Sequence, residues 1–273
     1  MKALAPPLRQ IHLHQIFYDE ATRAALDPGF VPMDNLANAR PDWFEYWSIR
    51  RFFLGSVLNE NDLYGFFSPK FRTKTGLSAE AVRQFVGDGT ASRADVYLFS
   101  PVWGAACYFR NVFEQGERFH PGLLPVSQAF FDAAGWRVDL RQLVMSTRTT
   151  VFCNYFVATP RFWRRWFEVG EALFRIAEDP GHPLARHLVT FTAHNPAANI
   201  YQFKAFLQER IASFLLCVED WNTVACDFSA LPDPLWPAHL QRDLLVLDAL
   251  KMSYVDTGLR LFIDEFDRRR SGS

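Results

Sequence analysis

With 273 residues, 49% of them hydrophobic and 16% aromatic, the chain has enough apolar material for one large core or for two lobes around a cleft. A formal net charge of -1 provides no global field for a nucleic-acid backbone or an anionic membrane, so no nucleic-acid partner is expected. Cys107, Cys153, Cys217 and Cys226 lack C-x-x-C spacing, which argues against a zinc ribbon, a redox pair or a disulfide framework; with no apolar run long enough for a signal peptide or a bilayer span, the expected location is the cytoplasm.

Imperfect alternation over 11–18 predicts a first strand, followed by a helical turn over 19–26. Residues 27–35 contain two prolines, a glycine and Asp34-Asn35, and are expected to form a loop beside the end of that strand. Pro41 suits the first turn of a helix over 41–58, with Trp43, Trp47, Ile49 and Phe53 available to the core. An apolar run over 63–67 then meets Ser68-Pro69, followed by Lys70, Arg72 and Lys74 before Gly76 turns the chain, which predicts a buried strand ending in a basic loop. Ligands of open α/β sheets sit outside the carboxyl ends of strands, so these cations are candidates for an anionic group such as a diphosphate; a solvated loop is the competing account.

Ser78 is an expected N-cap for a helix carrying Val82, Phe85 and Val86, and a strand over 94–99 again closes in Phe-Ser-Pro. This β-loop-α-β alternation predicts parallel strands with helices on the sheet faces. Further helices are expected over 105–119, 123–134, 162–176 and 199–215, and strands over 143–145, 151–158 and 221–228. Residues 181–196 give no clear pattern, 232–237 read as a linker, and 240–266 as one or two helices split near Gly258. Two units follow: a main domain over 1–230 and a helical extension over 231–273 packed on it.

Four segments together resemble bacterial glycosyltransferases of the GT-A type that build capsule and lipopolysaccharide: Arg9-Gln-Ile-His-Leu-His-Gln-Ile-Phe-Tyr, Pro41-Asp-Trp-Phe-Glu-Tyr-Trp, Phe152-Cys-Asn-Tyr-Phe-Val-Ala-Thr-Pro-Arg-Phe-Trp and Phe206-Leu-Gln-Glu-Arg-Ile-Ala-Ser-Phe. The resemblance implies a GT-A-like (Rossmann-like) mixed sheet flanked by helices with a helical C-terminal part, and transfer of a sugar from a nucleotide-sugar donor to a glycan acceptor in surface polysaccharide synthesis. One departure stands out. Asp95 opens the strand where many such enzymes carry a metal-binding Asp-x-Asp and has no carboxylate two residues on, which puts divalent metal use in doubt.

Glycosyl transfer needs charge to hold the departing diphosphate, a base for the acceptor hydroxyl and a floor shaped to the sugar. Lys70, Lys74 and Arg148 are candidates for the first, and Glu209, Glu114 and Asp34 for the base, with Glu209 preferred on the resemblance and Arg210 beside it as a phosphate contact. Tyr18, Asp19 and Asp34 are expected near the nucleotide, and Asn154 at an acceptor hydroxyl. Without the Asp-x-Asp, a catalytically silent glycan-binding or scaffolding module of a polysaccharide assembly is the alternative. Arg161, Arg164 and Arg165 are weighed as a peripheral membrane contact against a solvated helix face.

Overall fold

The computed structural model describes residues 9–89, 94–195, 199–231, 236 and 238–271. Among them, β1 (Ile11–Phe17) runs into α1 (Glu20–Ala24), β2 (Val31–Asp34) and, after a 3-10 turn at Pro41–Trp43, α2 (Phe44–Gly55). Next come β3 (Leu63–Phe67), α3 (Phe71–Thr75), α4 (Ala79–Gly89), β4 (Val96–Leu98), α5 (Trp103–Tyr108), α6 (Val112–Phe119), α7 (Leu123–Ala133) and β5 (Phe156–Ala158). The chain continues through α8 (Pro160–Glu178), α9 (Ala185–Leu188), the hairpin β6 (Phe191–Asn195) and β7 (Asn199–Gln202), α10 (Phe203–Val218), β8 (Thr223–Ala225), α11 (Gln241–Thr257) and α12 (Arg260–Ser271).

The main sheet has the order β2-β1-β3-β5-β4-β8. All of its pairings are parallel except those of β5, which runs against both β3 and β4, so the sheet is mixed and its helices cover both faces. Alternation along the strands divides the core in two. Ile16, Tyr64, Phe66, Leu98 and Phe156 pack with α2, α7, α8 and α10, while Leu13, Phe67, Tyr97, Tyr155 and Val157 pack with Phe30, Phe71 and α4. Trp163 and Trp166, at helical spacing on α8, are fully buried, and the Trp163 indole donates to the Tyr64 carbonyl at 2.8 Å. They belong to the core.

Several expectations change. The expected loop at 27–35 contains strand β2: Pro32 cannot donate to a central ladder, but β2 is an edge strand, where that loss is tolerated. Lys70, Arg72 and Lys74 lie on and beside a helix, α3, closed by Gly76 at φ +73. The expected helix over 105–119 breaks at Asn111, whose side chain caps α6 by accepting from Phe113 N and Glu114 N, each at 2.9 Å. Gly116 does not interrupt α6. It clears space for the Arg210 guanidinium, whose Nε would lie 2.8 Å from a Cβ there. Residues 143–145 form no strand, 191–195 and 199–202 pair as antiparallel strands, and the linker expected at 232–237 falls largely outside the described residues.

Residues 241–271 form two helices split at Gly258, which takes φ +71. They pack on α5 and α6: Lys251 donates to the carbonyls of Ala106 and Phe109, Arg270 pairs with Glu114 at 2.7 Å, and Asp267 pairs with Arg110. Among the described residues, no helix is long and apolar enough to cross a membrane.

Candidate active site

The chain converges beyond the carboxyl ends of β1 and β3. Gln15, 2% exposed near the end of β1, donates to the Ser68 carbonyl at 3.4 Å and accepts from Asp27 N at 3.2 Å, which ties the loops after both strands together. Ser68 and Tyr155 share a 2.5 Å hydroxyl contact. Because β5 is reversed, the segment leading into it arrives at this end of the sheet, and Cys153 and Asn154 there both adopt left-handed backbone, φ +62 and +55. Phe44, just before Glu45 at the start of α2, does so at φ +47. Positive φ is costly for cysteine and phenylalanine, and such strain gathers at ligand sites.

Lys74 reaches across from α3. Its Nζ donates to Cys153 Sγ at 3.1 Å and lies 5.9 Å from the centre of the Tyr155 ring. Two carboxylates share this neighbourhood, Glu45 from the first turn of α2 and Glu209 from α10. Burial pushes both above the ordinary carboxylate range; Glu209 adds to the rise at Glu45, while Lys74 and Lys70 oppose it there, and Arg210 and Lys74 oppose it at Glu209. Burial alone would lower Lys74, but Cys153, Glu209 and Glu45 outweigh it and raise the ammonium. The Cys153 thiol is pushed up to about 11, first by burial and then by Glu209, so it is neutral near pH 7. Burial, Asp19, Glu45 and Tyr201 also raise Tyr18, which places its phenol at the same cleft. Phe44 meets Tyr201 with ring centroids 5.2 Å apart.

Behind this cluster, α10 is joined to the 3-10 turn that precedes α2. Lys204, 1% exposed, donates to Asp42 and lies 4.4 Å from the Trp43 ring centre, while Arg40 bridges Asp42 and Glu178. Trp43 Nε1 completes the network by donating to Glu178 at 2.8 Å. Despite the cost of burial, the bonds from Arg40 and Lys204 hold Asp42 down at about 2.

Of the residues singled out in the sequence, Glu209, Lys74, Lys70 and Tyr18 come together here. Asn154 sits one residue from Cys153 and donates to Gln208 Oε1 at 2.9 Å; its own Oδ1 and the Gln208 Nε2 are buried without a protein partner. The others have structural employment. Arg210 bonds the carbonyls of Val112 and Phe206 and Gln115 Oε1, and its guanidinium is lowered to about 10 by burial. Glu114 accepts from Arg110 N and Arg270, Arg148 lies 3.6 Å from Asp256, and Asp19 caps α1 through Thr22. Asp34 forms a turn by accepting from Leu36 N. Asp95 accepts from Asn222 N at the amino end of β4, the opposite end of the sheet from the cluster. Arg164 pairs with Glu60, and Arg165 with Glu168 and Glu219.

The sequence did not single out Glu45, Cys153, Ser68 or Tyr155 as site residues. Glu45 lies inside the Pro-Asp-Trp segment, and Cys153 and Tyr155 flank Asn154, so the quoted segments were the available signal. Among the described residues, no three His, Cys, Asp or Glu side chains converge as a metal site. Two cavities at the ends of β4 and β8, each about 10 Å³, have room for about one water. No family model, no curated protein and no solved structure matches this chain.

Proposed function

We propose that the protein is a GT-A-like glycosyltransferase that moves a sugar from a nucleotide-sugar donor to a glycan acceptor in surface polysaccharide synthesis. The observation that carries this is the pair of half-buried carboxylates, Glu45 and Glu209, facing Lys74 at the carboxyl ends of β1 and β3. The mixed α/β sheet and the position of the cluster support the same reading.

In the reaction, an acceptor hydroxyl attacks the anomeric carbon, the bond from that carbon to the diphosphate oxygen breaks, and the hydroxyl proton passes to a base. Glu209 is that base. A carboxylate held above its ordinary range by burial takes a proton more readily at neutral pH. Lys74 and Lys70 supply positive charge for the leaving diphosphate. Tyr18 and Phe44, 38% and 41% exposed, offer apolar faces for a pyranose ring.

A thermal-shift panel of UDP, GDP, CMP and dTDP and their sugars, each with and without manganese, tests this reading. One nucleotide class should raise the midpoint by several degrees at saturation, and Lys74→Ala should lose that shift while staying folded. A flat response from folded protein would discard the transferase and favour the glycan-binding module.

A further inference from the structure

Helix α11 is apolar on two opposite sides. Leu244, Leu247, Asp248 and Lys251 are buried toward α5 and α12. At 100° per residue, Leu245, Val246, Ala249 and Met252 fall on the other side. Leu245 is 59% exposed and Val246 37%, and Ala249 is exposed too, where a surface helix ordinarily turns charge to water. Both ends of the strip are charged. Arg242 and Asp256, each exposed, stand seven residues before and seven after Ala249, on the same side and about 21 Å apart.

We infer that this side of α11 pairs with the same side of a second copy of the chain, antiparallel, about a two-fold axis at Ala249. A basic group at one end and an acidic group at the other complement themselves only in that orientation: Arg242 of each copy then meets Asp256 of the other, and the pairing repeats by symmetry. Ala249, the smallest side chain of the strip, falls at the crossing, where two helices approach closest, and Leu245 packs near Met252 of the second copy. Asp256 already has Arg148 at 3.6 Å, with both side chains 59% exposed, so its carboxylate keeps room for a second donor. An anionic bilayer fits less well. One Arg and one Asp leave the strip without net charge, and lipid offers nothing for the acidic end.

Analytical ultracentrifugation of the full chain over about 1–200 μM gives the test. The wild type should form a dimer, Leu245→Asp should be monomeric, and Arg242→Asp and Asp256→Arg should each weaken the dimer by about tenfold or more, because each sets like charges against each other at two symmetric contacts. Mixed in equal amounts, the two charge variants should form a dimer at least about tenfold tighter than either alone, since both contacts then join Asp to Arg. Arg148→Ala separates the loss of its own pair from that effect, and circular dichroism confirms folding. A wild-type monomer throughout, a dimer indifferent to Leu245→Asp, or a mixture no tighter than its components would overturn the inference. So would a monomer that binds vesicles of phosphatidylcholine and phosphatidylglycerol through Leu245.

Discussion

Helix α10 meets two charged clusters only a few residues apart, one on the 3-10 turn at Pro41–Trp43 and one at the start of α2, and the two behave in opposite ways. At the first, Asp42 and Lys204 are joined with Arg40 and Glu178; against the cost of burial, hydrogen bonds hold both carboxyls below their ordinary range. At the second, three residues on from Asp42 and five on from Lys204, burial holds Glu45 and Glu209 above it. In the first cluster every carboxylate has bonded cationic partners, which is how a fold uses charge to lock elements together. The second sets two carboxylates against an ammonium that bonds a neutral thiol, beside strained backbone at Phe44, Cys153 and Asn154. Helix α10 thus borders an architectural cluster and, beside it, one suited to moving a proton.

Replacing Lys204 with Met tests the first cluster most severely. It removes a 1% exposed cation and leaves Asp42 and Glu178 with one partner fewer, so chemical denaturation should show a loss of about 3 kcal/mol. A loss under about 0.5 kcal/mol would make the two clusters equivalent.

Glu209→Gln comes next. Removing the proposed base should lower kcat about 100-fold, equivalent to about 2.7 kcal/mol, while the donor-induced thermal shift stays. A variant with full activity would move the base elsewhere, Glu45 first.

The same variant carries a pH signature. A carboxylate raised in the folded state binds its proton more readily there than in the unfolded chain, so its cost is absent below the ordinary value of 4.5 and grows as pH rises through the folded pKa. Glu209→Gln should therefore match the wild type in stability near pH 4 and exceed it near pH 8. His14, lowered to about 4 by burial and then by His12, makes both proteins less stable as pH falls from 6.5, and it cancels in the difference. Asp42→Asn should reverse the sign, being less stable than the wild type at pH 8.

Smallest of all should be Arg148→Ala. Its ion pair with Asp256 is 59% exposed on both sides, so stability should change by less than about 0.5 kcal/mol and donor binding should not change. Loss of the nucleotide-induced shift in this variant would bring Arg148 back to the site.

Much of the fold was readable because local chemistry matched global position. The apolar run ending at Ser68-Pro69 gave β3 its bounds, Gly258 split the last two helices, and Ser78 caps α4 by accepting from Ala81 N. Where tertiary pairing decides, the pattern misled. Pro32 signals a loop unless the strand is known to be at an edge, and Asn111 sits in an apolar stretch that reads as one helix until its amide is seen bonding the carbonyls of Leu140 and Leu143. The site was half legible. Lys74 was singled out by residue type and place and Glu209 on the resemblance, and the fold brings the two together, whereas Glu45 looks like any first-turn acid of a helix, since periodicity does not say that α10 brings a second carboxylate to it. Arg210 and Glu114 were misjudged for a related reason: a charge inside an apolar helix suggests chemistry, yet both are consumed in knitting α6 to α10 and α12.

The reversed β5 has an evolutionary consequence. Its exit allows no change in length, because one residue after Ala158 closes the strand Pro160 already belongs to α8. Its approach, 146–155, is a non-repetitive segment that ends at the cleft beside Lys74. Divergent descendants of this chain would therefore record a change of substrate as insertions and replacements before β5, while the boundary after it stays constant in length, so that one strand separates the variable side of its lineage from the fixed one.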